Sequence, residues 1–223
     1  DLLRHEGYQQ NCYIRPLVYK STEMIGVRLH DVDHDLGMFA IPYGQYVKNE
    51  EGLHLCFSAW RRVDDNMIPA RGKVSGAYAN SALIKTDAAL AGYDEALVLT
   101  KDGHLSEASA SNVFIVRRGQ VITPPVYSDL LEGIVRRTVI EMLRDRGLDV
   151  IERDIDRTEV YLADEVVLCG TGMQIAAATQ IEHRKIGSGT MGPITRQLRD
   201  DFFDMVSGRI DKYRHWLTPV YSK

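Results

Sequence analysis

The residues best placed to do chemistry begin with Lys73, in the run Arg71-Gly72-Lys73-Val74-Ser75-Gly76-Ala77-Tyr78. A lysine between two glycines, ahead of a helix and in a stretch poor in other charge, fits a partly desolvated nucleophile or Schiff-base former. Burial lowers its proton affinity and frees the lone pair. A solvated loop lysine has the same local sequence, and on this segment alone it is the commoner case. Glu107 lies in a second run, Gly103-His104-Leu105-Ser106-Glu107-Ala108-Ser109-Ala110-Ser111-Asn112, whose small residues let backbone approach a flat ligand. Its carboxylate suits a protonated ring nitrogen, or equally a solvated turn. Leu131-Glu132-Gly133-Ile134-Val135 opens a helix, and free amides at such a start attract an anion such as a phosphate monoester. Every helix has such an end. Cys169-Gly170-Thr171-Gly172-Met173 follows a strand and suits a backbone nest for phosphate or carboxylate, or a tight structural turn.

Elements must bring these runs together. Residues 12–20 and 36–41 are rich in β-branched, aromatic and apolar types and read as strands, with a short strand expected in the polar stretch between them. Residues 53–59 open a second group of strands. A helix is expected over 75–91, with Ala79, Leu83, Thr86 and Leu90 on one face and Gly92 at its C-cap. Strands follow at 95–100, 112–117 and 121–123. The clearest helix is 133–147, with Val135, Val139, Met142 and Leu143 as its apolar stripe and Gly147 at its end. Strands at 148–155 and 165–169 precede a last amphipathic helix, from Pro193 through Ile194, Leu198, Phe202 and Met205 to Gly208. Strands and helices mix without strict alternation, so the expected class is α+β with a curved sheet.

With 44 % hydrophobic and 26 % charged residues, the 223-residue chain has an ordinary globular composition and room for a domain plus part of another. A net charge of −4 and scattered arginines argue against nucleic acid or an acidic membrane surface as partner. No segment has the length of a membrane span. The three cysteines, Cys12, Cys56 and Cys169, share no metal-type spacing and read as buried free thiols in a reducing compartment, which gives a cytoplasmic expectation. The run His30-Asp31-Val32-Asp33-His34-Asp35 has metal-ligand residue types, but in a polar connection with no partner cluster it reads as a solvated loop, and no metal is expected.

In order and spacing, the four runs resemble the branched-chain aminotransferases, the fold-type IV, class IV pyridoxal-phosphate family. KVSGAY is similar to that family's Lys-x-Gly-Gly-x-Tyr, LSEASASNVF to its Ser-Glu-Gly-x-x-x-Asn-Leu-Phe, and LEGIVRRTVI to its Leu-x-Gly-Ile-Thr-Arg. YLADEVVLCGTGMQI and MGPITRQL resemble its Leu-Ala-Asp-Glu…Gly-Thr-Ala and Gly-Pro-Ile-Thr stretches. YIRPLVY, IPYGQY and HWLTPVY echo its Tyr-x-Arg, Pro-Trp-Gly-x-Tyr and terminal elements. The resemblance covers essentially the whole chain.

It implies a large domain with a curved pseudo-barrel sheet and helices at 51–223, a linker at 42–50, and at 1–41 the C-terminal part of a smaller α/β domain. The chain begins without methionine, and residues upstream are expected to be absent. The resemblance implies an aldimine between Lys73 and pyridoxal 5'-phosphate, with the same amine later moving the substrate proton. It implies Glu107 at the pyridine nitrogen and Tyr78 at the phenolic oxygen. Ile134, Val135 and Thr171 would hold the phosphate and Leu131 the ring face, with Ala110, Ser111, Gly133 and Gly170 completing the cofactor set. On the substrate side it implies Tyr13 and Arg15 for a carboxylate, Thr171 and the amides of Gly172 and Met173 for the α-carboxylate, and Tyr43 and Tyr46 as apolar walls. The implied reaction is transamination between branched-chain L-amino acids and 2-oxoglutarate, in a homodimer or higher homo-oligomer.

Departures leave the substrate open. Ser111 stands where these enzymes usually have glutamate, and Ala108-Ser109 replaces a glycine-rich pair. Ser75, Val135 and Tyr43 replace glycine, threonine and tryptophan. The serine-rich form also resembles D-amino-acid and (R)-amine transaminases. A relative that binds small carboxylates without catalysis is the alternative from another class.

Overall fold

A computed structural model describes residues 1–44 and 52–221, which fall into two compact units. One comprises Asp1–Tyr46 with Lys212–Lys223, the other Val47–Asp211. The last dozen residues thus group with the first unit, whereas the sequence assigns them to the large domain.

The first unit holds a short helix α1 (Leu2–His5) and a two-stranded antiparallel sheet of β1 (Cys12–Lys20) and β2 (His34–Pro42). The extra strand expected between them is absent: residues 21–33 carry no regular element, and Thr22 Oγ1 instead accepts from the amide of Asp33 at 2.6 Å. The pairing sets Tyr13 opposite Ile41 and Arg15 opposite Phe39. Strand alternation therefore puts Tyr13 and Arg15 on one face.

The second unit is built on a nine-stranded mixed sheet. Its strands are β3 (Leu53–Arg61), β4 (Glu95–Leu99), β5 (Leu105–Ala108), β6 (Asn112–Arg117), β7 (Gln120–Thr123), β8 (Val150–Glu152), β9 (Glu165–Gly170), β10 (Gln174–Ile181) and β11 (Arg184–Lys185). The order is β5-β4-β3-β10-β9-β6-β7-β8, with β11 on β10. β3 pairs parallel with β4 and β10, and β7 with β8; the other ladders are antiparallel. The sheet curls until its ends meet, for the amide of Leu105 donates to Ile155 O at 2.8 Å and His104 bridges to Asp156. Leu55, Leu97, Ile115, Leu168 and Ile181, all fully buried, fill the inside of that curve.

Helices α2 (Tyr78–Leu90), α3 (Ile134–Asp145) and α5 (Pro193–Val206) pack on the sheet, and α4 (Arg157–Val160) is a single turn. Two of the expected faces are corrected. In α2 the buried residues are Ser81, Ile84 and Ala88, while Leu83 and Leu90 are exposed. In α3 Arg136 is buried beside Val139, Ile140, Met142 and Leu143, and Val135 is only half-buried. Arg136 is tolerated inside because its Nη2 donates to Pro124 O at 2.9 Å and to Glu152 at 2.8 Å. The three cysteines are free, and only Cys169 is fully buried.

Candidate functional site

Glu107 is the most enclosed acid of the four runs, at 3 % exposure. Its third-place position in β5 sets it between the end of β3 and the loop before α3. Its Oε1 pairs with Arg62 Nη2 at 2.9 Å. Its Oε2 accepts from Asn112 Nδ2 at 3.1 Å and from the amide of Leu131 at 3.3 Å. Burial raises the carboxyl to about 7, against the pull of Arg62, the Leu131 amide and Lys73. A carboxylate so placed can take up or share a proton at neutral pH. This is a dry cage rather than a solvated turn.

Lys73 stands in the loop before the 3-10 turn Ser75–Ala77. It is exposed, as in the solvated-loop reading of its own segment. Its Nζ lies 5.5 Å from the centroid of the Tyr78 ring, and its charge reaches Glu107. Lysine, tyrosine and the buried acid therefore belong to one neighbourhood.

An uncapped helix start adjoins it. Gly133 caps α3 in extended conformation, and no side chain caps the helix. Among the described residues, no partner engages the amides of Ile134 and Val135, which the first turn of a helix leaves unpaired. A Cβ on Gly133 would come within 2.3 Å of Asn112 Oδ1, so only glycine fits. Asn112 also donates to Leu131 O at 2.8 Å, which ties the helix start to the Glu107 cage. Ser111 is 5 % exposed and its Oγ has no partner, beside Gly170 whose added Cβ would lie 3.6 Å from Ser111 Cβ. Gly170 ends β9 and pairs with Gln174 across the turn of Thr171, Gly172 and Met173. Thr171 is exposed there, whereas the Met173 side chain belongs to the core. Leu131 is half-buried and Ala110 exposed.

In the first unit, Arg15 Nε donates to Tyr13 Oη at 2.9 Å, and the Tyr13 and Tyr43 ring centroids are 5.5 Å apart. Tyr46 lies outside the described residues. Among the described residues no cluster of three or more His, Cys, Asp or Glu side chains gathers to hold a metal, and no helix is long and apolar enough to cross a membrane.

Sequence reading missed Arg62. It follows a strand in the run Trp60-Arg61-Arg62, and nothing local separates a buried arginine from its exposed neighbour. Asn112 was inside a matched motif, yet its double donation shows only in the fold.

A family model for class IV amino-transferases matches residues 1–181. A probable branched-chain-amino-acid aminotransferase of Aquifex aeolicus is 43 % identical, over all of this chain and 72 % of its own length. Two solved branched-chain aminotransferases superimpose on it. That of Thermoproteus uzoniensis, solved with norvaline, has a TM-score of 0.94 at 39 % identity, over 98 % of this chain and 72 % of its own. That of Thermobaculum terrenum, in its pyridoxal-phosphate form, has a TM-score of 0.93 at 41 % identity, over 99 % and 72 %.

Proposed function

Because this chain belongs to the class IV, fold-type IV aminotransferases, and is thus a pyridoxal-phosphate-dependent enzyme, we propose that it moves the amino group of branched-chain L-amino acids onto 2-oxoglutarate. The observation that carries the reading is the caged Glu107, with the Lys73–Tyr78 pair near enough for the lysine charge to act on it and an uncapped helix start tied to the cage.

The residues fit the coenzyme. A partnerless buried hydroxyl at Ser111, free amides at Ile134 and Val135, and the narrow approach at Gly133 suit a phosphate. A buried acid with a proton affinity near neutrality suits a basic ring nitrogen. When bound, pyridoxal phosphate supplies an electron-withdrawing ring that accepts the charge left when a substrate Cα–H bond breaks.

The rest falls to side chains. In this reading Lys73 would hold the coenzyme through its aldehyde, and its amine, when free, would take a proton from the substrate Cα and give one back. Glu107 would keep a proton at the ring nitrogen. Tyr78 would donate to the phenolic oxygen, and Leu131 would pack on the ring face. Ile134, Val135, Thr171 and Ser111 bind the phosphate, with Ala110, Gly133 and Gly170 leaving room. On the substrate side, Tyr13 and Arg15 orient a carboxylate, Thr171 with the amides of Gly172 and Met173 takes the α-carboxylate, and Tyr43 and Tyr46 wall the side chain. Residues 1–41 are assigned to the small domain, and the assembly is a homodimer or larger.

A second reading, D-amino-acid or (R)-amine transamination, draws on the serine-rich segment that ends in the partnerless Ser111. A panel of L-leucine, L-valine, D-alanine and (R)-1-phenylethylamine with 2-oxoglutarate separates them. Turnover confined to the L-amino acids is expected; turnover of D-alanine alone would overturn the substrate assignment.

A further inference from the structure

Arg62 deserves its own role. It follows β3 directly, its side chain is 9 % exposed, and all three guanidinium nitrogens are committed. Nη2 meets Glu107 Oε1 at 2.9 Å, Nε donates to Asp129 O at 3.1 Å, and Nη1 donates to Ser81 Oγ of α2 at 3.4 Å. The Asp129 carbonyl is itself held: this residue has φ +56°, and its Oδ1 accepts from the amide of Asp65 at 3.0 Å. Three separate segments therefore fix the plane of one guanidinium.

A pair this buried gains little stability over apolar side chains of similar volume, since each charge leaves water. What it does change is the basicity of its partner. The groups facing Glu107 are Arg62 from the end of β3, Asn112 from β6, the Leu131 amide, and Lys73 at longer range; buried Cys169 of β9 also feels its charge. Of these, Arg62 is the cation in contact with it.

We propose that Arg62 is a positioning residue of the reaction, holding Glu107 ionised and aimed so that one proton shared with the coenzyme ring nitrogen resides on the nitrogen. The inference rests on the reading of Glu107 given above. The balance is simple: one proton lies between two bases, the carboxylate and the pyridine. Without Arg62 the buried carboxylate becomes the stronger base, the proton moves onto it, and the ring loses the positive charge that makes it an electron acceptor. A neighbouring cation shifts a carboxyl by about 1–3 pH units, so the ratio of the two proton positions changes by about 10- to 1,000-fold.

The test uses holoenzyme loaded with coenzyme labelled by 15N in the ring, and reads the ring-nitrogen chemical shift together with kcat and KM. The parent should show the protonated-ring signal. Arg62→Met should move it toward neutral pyridine and lower kcat about tenfold or more, with KM less affected. Arg62→Lys, which keeps the charge, should restore most of the protonated signal. Should Arg62→Met not fold, Arg62→Gln loses the charge but keeps hydrogen bonding and reads the same quantity. A protonated-ring signal and parental kcat in both uncharged variants overturns the role of Arg62. Glu107→Gln separates the two levels. If it moves the ring signal and the Arg62 variants do not, only the role of Arg62 fails. If it leaves the signal unchanged, Glu107 is not the ring partner and both readings fail.

Discussion

At the residue scale, the site turns on how one carboxylate is enclosed. Without coenzyme, Glu107 is raised from the ordinary 4.5 to about 7, chiefly by burial. The folded chain therefore binds more protons than the unfolded one between those values. The resulting contribution to stability is complete below pH 4.5 and is lost as pH rises through about 7. Glu107→Gln removes this loss, so its stability relative to the parent should rise across that window, by about 3 kcal/mol at most. Urea unfolding of the coenzyme-free proteins at several pH values measures it, and a difference that stays flat with pH would argue against a caged acid. Gly133→Ala should push Asn112 away, costing about 1–3 kcal/mol and weakening coenzyme affinity measured by titration. Lys73, Tyr78 and Glu107 were nominated from the sequence because their runs, ambiguous one by one, match a family's motifs in order and spacing. Arg62 was not, because an arginine's burial depends on partners from α2, β5 and the 129 turn, all distant in sequence.

At the element scale, the sequence-based expectations located most strands and the three long helices, and the misses have physical causes. β5 and β10 were unread: Leu-Ser-Glu-Ala is short and polar, and Ala176-Ala177-Ala178 has weak β preference. β10 is a strand because it lies between β3 and β9, where small residues fit. The face of α2 was misplaced because Ile84 and Ala88 meet Ala96 and Val98, leaving the larger Leu83 and Leu90 outside. The Ala-Asp-Glu stretch has a structural use. Glu165, at the start of β9, accepts from the amides of Ile194 at 3.0 Å and Thr195 at 2.7 Å, and so caps α5 from another element. Glu165→Ala should cost about 1–3 kcal/mol and fray α5, read by thermal unfolding and by amide exchange at 194–198. Unchanged exchange there would contradict the cap.

At the scale of the whole molecule, each unit carries part of the proposed machinery: Tyr13, Arg15 and Tyr43 in the first, Lys73 and Glu107 in the second. The hairpin of β1 and β2 exposes Leu17, Val18, Leu36 and Phe39. A two-stranded sheet with apolar side chains open to water is marginal by itself. Light scattering of the purified chain is expected to give the mass of a dimer or more, and Phe39→Asp to lower it; a monomer mass for the parent would count against self-association. The most direct measurement is borohydride reduction of the protein with pyridoxal phosphate, then digestion and mass spectrometry. The adduct should fall on the peptide bearing Lys73. An adduct on another lysine, or none, would contradict the assignment of the site.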